Sequence, residues 1–144
     1  MKLIIDSSQF DKTILAIANN FEIIKKVSAS SRFTHEEVML KLMDKLFTNT
    51  KIAPQDIVGV IVVNGPGSFS ALRIGLSVAN TLAWQLNIPI VGVSNKLFKN
   101  LSELHKIGLK LLSQQQEFQI VLPNYGQPPS INIKKNNLLK ERMF

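Results

Sequence analysis

The sequence predicts an α/β domain in which a mixed sheet carries helices packed on it. Three observations lead there. The first thirty residues hold three short apolar runs divided by polar turns; the runs 57–63 and 90–93 are continuously apolar and β-branched; and each of the latter two is followed by apolar residues at helical spacing. With 144 residues the chain is one domain by size and long enough to bury a core.

Each element can be justified in order. Residues 2–6 and 12–18 are short apolar runs, and Asp6-Ser7-Ser8-Gln9 between them is a polar turn-former. Asn19-Asn20 precedes a third run, 21–27; asparagine tolerates positive φ, so a tight hairpin and a three-stranded antiparallel meander are expected. From Thr34 the period changes. Thr34 can cap a helix, Glu36 and Glu37 favour a first turn, and Val38, Met39, Leu42, Met43, Leu46 and Phe47 recur on one side of a helix expected over 35–47. Residues 49–55, with Pro54, break it. The run 57–63 reads as a central strand covered on both faces. After a glycine-rich turn, residues 70–86 read as a second long helix stopped by Asn87 and Pro89. Residues 90–93 form another buried strand. Ser94 or Asn95 then caps a third helix through Leu97, Leu101 and Leu104 towards Leu112. Residues 118–122 are a last short strand candidate, before Pro123, Gly126, Pro128 and Pro129 impose a loop. The division expected is a lobe over 1–117 and a basic, proline-containing tail over 118–144, where Lys134, Lys135, Lys140 and Arg142 face one acid, Glu141. By element order the lobe matches a single actin-like (ASKHA, ribonuclease H-like) lobe, an analogy of topology rather than of chemistry.

Composition excludes several function classes. There is no cysteine, hence no disulfide, thiolate metal site or cysteine nucleophile. Met1-Lys2-Leu3-Ile4-Ile5-Asp6 is not expected to act as a secretory leader, because an acid ends the apolar run after three residues. No charge lies between Ile74 and Asn95, yet Asn80, Gln85, Asn87 and Pro89 interrupt that stretch, and a buried helix followed by a buried strand explains it better than a membrane span. A cytoplasmic protein without membrane contact is expected. The net charge of +7 is compatible with a nucleic-acid partner, but the lysines are dispersed and a solvated surface gives the same sum.

The polar residues offer little catalysis. Asn64-Gly65-Pro66-Gly67-Ser68-Phe69 joins a buried strand to a buried helix, where glycines permit positive φ and helix N–H groups can receive an anion. No lysine follows as in a P-loop, and neither G-x-G-x-x-G nor G-x-S-x-G is present, so a purely structural turn is an equal reading. His35 and His105 lie in different helices without partners at metal-ligand spacing. Asp6 is an acid at a strand end, suited to magnesium–phosphate chemistry in an actin-like pair of lobes, or to capping its own turn. The two long helices say more. Their apolar arcs are wider than one sheet face covers, with Gly75 open to close approach by another element and Trp84 on the side of Arg73. Greasy helices in a small lobe are the plain explanation; a face buried against another protein is the sharper one.

Gly65-Pro66-Gly67-Ser68-Phe69-Ser70-Ala71-Leu72-Arg73-Ile74-Gly75 resembles the TsaB family stretch G-P-G-S-F-T-G-L-R-I-G. Leu3-Ile4-Ile5-Asp6-Ser7-Ser8 is similar to that family's I-L-A-I-D-T-S start, Ile88-Pro89-Ile90-Val91-Gly92-Val93-Ser94 to its P-V-V-G-V-S strand, and His35 to a histidine opening its first helix. The similarity runs over about residues 1–105. Ser70-Ala71 departs from Thr-Gly, Asn80 replaces a small or basic residue, and the family's second lobe has no counterpart. Pro123-Asn124-Tyr125-Gly126-Gln127-Pro128-Pro129 nevertheless resembles the family's terminal P-x-Y-x-R-P-P, with Gln127 for arginine.

The resemblance implies a non-catalytic subunit in threonylcarbamoyladenosine synthesis on tRNA. It would pair with the metal-holding transferase TsaD, be joined by the ATPase TsaE, contact tRNA mainly indirectly, form a homodimer when alone, and itself need no cofactor or metal. Pairing would use the first lobe's helices: His35, Val38, Met39, Leu42, Met43 and Leu46 on one, Arg73, Leu76, Ala79, Asn80, Ala83 and Trp84 on the other. Asp6, Ser7, Gly65, Pro66, Gly67, Ser68 and Phe69 would form a structural turn and weak anion site. The alternative is a homodimeric actin-like lobe with weak nucleotide binding or glycoprotease-like or ATPase activity.

Overall fold

A computed structural model of the chain describes residues 1–30 and 35–126, with the backbone alone at His35. The cap expected at Thr34, the His35 side chain, and Gln127, Pro128, Pro129, Lys134, Lys135, Lys140, Glu141 and Arg142 lie outside the described residues and side chains. Five strands form one mixed sheet in the order β3-β2-β1-β4-β5: β1 Lys2–Asp6, β2 Lys12–Ala18, β3 Ile23–Ser30, β4 Gly59–Gly65 and β5 Ile90–Ser94. β1 pairs antiparallel with β2, and β2 with β3; β4 lies parallel between β1 and β5. Helix α1 is His35–Thr50, α2 is Phe69–Leu86 and α3 is Leu101–Ser113.

Alternation along the central strands divides the core into two layers. Leu3, Ile5, Leu15, Ile17, Val60 and Val62 face α1 and α2, where Met39, Leu42, Leu46, Leu76, Ala79 and Ala83 meet them. Ile4, Ala16, Ala18, Ile61, Val63, Val91 and Val93 face the other way, against Leu104 of α3. Runs that are apolar without interruption are what a strand covered on both faces requires. The uncharged stretch resolves into the greater part of α2 followed by β5, and among the described residues no helix is long and apolar enough to cross a membrane.

The structure corrects the sequence reading at the β2–β3 turn, the end of α1, the start of α3 and residues 118–122, whereas α2 stops where expected. The β2–β3 turn does not rely on positive φ, because the non-glycine residues with that geometry are Lys51 and Asn87 among those described. Asn19 makes the turn with its side chain instead: its Oδ1 accepts the N–H groups of Phe21 and Glu22, each at 2.7 Å. Helix α1 continues to Thr50, past the expected end at 47; the left-handed Lys51, at φ 56°, follows its last residue. Helix α2 ends at Asn87, left-handed at φ 54° and ψ 51°.

Helix α3 starts at Leu101 rather than after Ser94 or Asn95. Those two residues are spent on the sheet: Ser94 pairs with Gly65, and Asn95 N–H donates to Gly65 O at 2.9 Å. The cap is Asn100, whose Oδ1 accepts Glu103 N–H at 2.9 Å, while Glu103 Oε2 accepts Lys99 N–H at 2.7 Å. Asn100→Ala is expected to lower stability by about 1 kcal/mol, read as a lower urea midpoint at unchanged slope. His105, buried in α3, reaches the β2–β3 turn, with Nε2 2.8 Å from Asn19 O. Residues 118–122 are not a strand; Leu122 and Val121 are held by the side chains of Asn64 of β4 and Asn80 of α2.

Candidate docking surface

The carboxyl ends of β1, β4 and β5 meet at the glycine-rich turn, where an anion or nucleotide would be sought. Asp6 is buried there, and its Oδ1 accepts Ser8 N–H at 2.9 Å and Ser8 Oγ–H at 2.6 Å. Ser7 is buried too, donating through Oγ to Ala71 O at 2.8 Å. Gly65 sits at φ 122°, the region that favours glycine, and a β-carbon at Gly67 would meet the Ser8 backbone. The Asn95 carboxamide donates to Pro66 O. From the tail side Asn124 N–H donates to Asn64 O at 2.7 Å. Ser68 occupies the α2 cap position without a side-chain cap bond. The turn is thus packed between the β1–β2 loop and the chain's own tail. Among the described residues no group of three or more His, Cys, Asp or Glu side chains is placed to hold a metal ion.

Gly75 does admit a close approach, and the element that approaches is the chain's own β1–β2 loop. A β-carbon there would stand 3.0 Å from Ser7 Cβ and nearer still to its Oγ. The wide apolar arcs have the same internal explanation, since α1 is packed against β2, β3 and α2 together. Met39, Leu42 and Leu46 of α1, with Leu76, Ala79 and Ala83 of α2, are buried in the domain's own core. In the lobe by itself these side chains are enclosed and are not part of its exposed surface. Val38 and Met43 are half-buried against the same core. Asn80 is also withdrawn from the surface, because its carboxamide is bonded to Val121. Arg73 and Trp84 remain exposed, Trp84 at 67%.

What the core leaves open is a groove between the outer sides of α1 and α2. Leu40, 67% exposed, stands on the α1 wall; Phe69, 58% exposed, stands at the start of α2, with half-buried Ile74 and Val78 between. Glu36 and Arg73 supply one charge of each sign. The Arg73 guanidinium carbon lies 5.5 Å from the Phe69 ring centre, within cation–π range. Further along α2, Ser70, Arg73, Ser77, Thr81 and Trp84 form a continuous exposed face at three- and four-residue spacing. Leu40 and Phe69 were not singled out for this surface from the sequence. The available signal was Leu40 at the edge of the α1 arc, and for Phe69 its place as the first helical residue after a tight turn.

A family model described as "TsaD: tRNA N6-adenosine threonylcarbamoyltransferase" matches residues 22–98. The protein from Bacillus subtilis (strain 168) called tRNA threonylcarbamoyladenosine biosynthesis protein TsaB is 33% identical over 93 residues, 65% of this chain and 40% of that protein. A TsaB from Buchnera aphidicola subsp. Schizaphis graminum (strain Sg) is also 33% identical, over 51% of this chain and 35% of its own length. A tRNA N6-adenosine threonylcarbamoyltransferase from Syntrophotalea carbinolica is 41% identical over 59 residues, 41% of this chain and 17% of that enzyme. Among solved structures, YeaZ from Pseudomonas aeruginosa superposes with a TM-score of 0.59 at 22% identity, covering 65% of this chain and 43% of that one. The chain thus spans well under half the length of these relatives.

Proposed function

Since the chain belongs to the family described as TsaD, tRNA N6-adenosine threonylcarbamoyltransferase, and is TsaB/YeaZ-like within it, we propose that it is a non-catalytic partner subunit in threonylcarbamoyladenosine synthesis on tRNA. Its fold is a single actin-like lobe. In this reading the α1–α2 groove docks a TsaD-type catalytic subunit, a TsaE-type ATPase joins that pair, and tRNA is engaged mainly through the partner.

The observation that carries the reading is the groove itself. Leu40 and Phe69 stay exposed beside half-buried Ile74 and Val78, although the core below them is closed. An apolar strip flanked by opposite charges is the composition of a small interface core with a polar rim. The glycine turn is consistent with a structural role, since it packs against the Ser8 backbone and the Asn124 carbonyl while Asp6 Oδ1 is bonded to Ser8.

The test is light scattering of the chain alone and mixed with a TsaD-type subunit. A complex of one copy of each is expected. A mixture that scatters as the separate components, whether this chain is then a monomer or a homodimer, would sink the proposal.

A further inference from the structure

Residues 114–126 leave the end of α3 and cross back over the molecule without joining the sheet. Their attachment is nevertheless specific. Gln115 Nε2 donates to Ile90 O of the edge strand at 2.8 Å. Asn80 of α2 offers its carboxamide as a substitute peptide group: Nδ2 donates to Val121 O and Oδ1 accepts Val121 N–H, both at 2.9 Å. Asn64 accepts Asn124 N–H at its own carbonyl, and its Nδ2 donates to Leu122 O at 3.3 Å. Glycine makes room at the crossings. A β-carbon at Gly92 would press into Val121 at 2.6 Å, and one at Gly65 would strike the Asn124 carbonyl. The crossing ends with Tyr125 stacked on Phe69, ring centres 4.6 Å apart and planes at 22°.

We propose that this segment is a strap whose seating places Tyr125 against Phe69 and thereby sets the aromatic wall of the docking groove, linking strap seating to partner binding. Phe69 is the first residue of α2 and mostly exposed, so its ring has staggered alternatives of similar energy unless something fixes it. An offset stack favours one of them. Asn80 and Tyr125 are then positioning residues: the first anchors the strap, the second orients Phe69. By reciprocity, a partner that prefers the oriented ring must in turn tighten the strap.

The link rests on the docking reading of the groove, so the experiment separates the two. Amide exchange is measured at Val121 and Asn124 in the full chain, in Asn80→Ala, in Tyr125→Ala and in Tyr125→Phe, together with affinity for a TsaD-type subunit. The expected results are slow exchange at both amides in the unaltered chain and at least about tenfold faster exchange at Val121 in Asn80→Ala, with β1 and β4 amides unchanged as the control for folding. Affinity should fall by roughly three- to thirtyfold in Tyr125→Ala, recover in Tyr125→Phe, and bring slower strap exchange when the partner is bound. Val121 and Asn124 amides exchanging as fast as in a free peptide would overturn the strap. Protected amides with equal affinity for Tyr125→Ala would overturn the link. Protected amides in a chain that binds no partner would overturn the docking reading and the link with it, while supporting the strap.

Discussion

Leu40→Glu is expected to weaken association with a TsaD-type subunit by about 30- to 1,000-fold, roughly 2–4 kcal/mol, while barely moving the chain's own thermal midpoint. Both halves of the expectation come from one number. Leu40 is 67% exposed, so the isolated lobe gains little from its side chain. In the proposed complex the same side chain is enclosed, and a carboxylate there must give up its hydration without a waiting partner. Glu36 lies one turn earlier on the same groove wall and adds a like charge. Leu42→Glu is the contrast. Leu42 is 4% exposed beneath the same helix, and that variant should unfold the lobe rather than spare it. Calorimetric titration and thermal unfolding of the two variants check the prediction, and unchanged affinity in Leu40→Glu would move docking to another face.

Gly75→Leu should cost about 3 kcal/mol or more, the upper end for overpacking a closed core. The position is buried at the middle of α2, where the helix rides directly on Ser7. Adding a side chain forces one of two losses. Either α2 lifts from the sheet and opens contacts of Leu76 and Ala79, or Ser7 is displaced and its buried bond to Ala71 O is broken. Urea unfolding reads the result directly. A loss below about 1 kcal/mol would show that the β1–β2 loop yields without resistance, contrary to the hydrogen bonds that Asp6 and Ser7 make there.

Much of the architecture was legible because period and burial agree. The runs 57–63 and 90–93 are apolar, as parallel strands covered on both faces must be; the second lies within β5, and the first overlaps β4, which starts two residues later at Gly59 and continues to Gly65. The elements misread from sequence were those decided by where one side chain finds a bond. Asn19 and Asn100 are ordinary asparagines until Phe21, Glu22 and Glu103 present N–H groups to them. Residues 118–122 have a strand's composition, yet Val121 and Leu122 are held by the side chains of Asn80 and Asn64 rather than by a backbone ladder. The docking surface was hardest to read. The wide apolar arcs on α1 and α2 suggest either small-lobe packing or a partner; the sheet and the two helices bury much of both arcs, and Leu40 at the margin stays exposed. Sequence spacing gives the width of an apolar face but not how many neighbours share it.

The strand order has a kinetic consequence. The meander of β1, β2 and β3 pairs through neighbours in sequence, so its hairpins can close within microseconds of being available. The sheet's centre is different, because β1 must wait for β4, with the register Lys2 opposite Gly59 and the whole of α1 in between. Closing that long loop is slow compared with forming a hairpin. Until it closes, one margin of β1 shows a row of unpaired N–H and C=O groups on Leu3, Ile4 and Ile5, the chain's most apolar opening residues. That margin is a template for pairing between nascent molecules. Its exposure ends when β4 arrives, so variants that delay α1 or β4 should lower soluble yield before they change the stability of the finished fold.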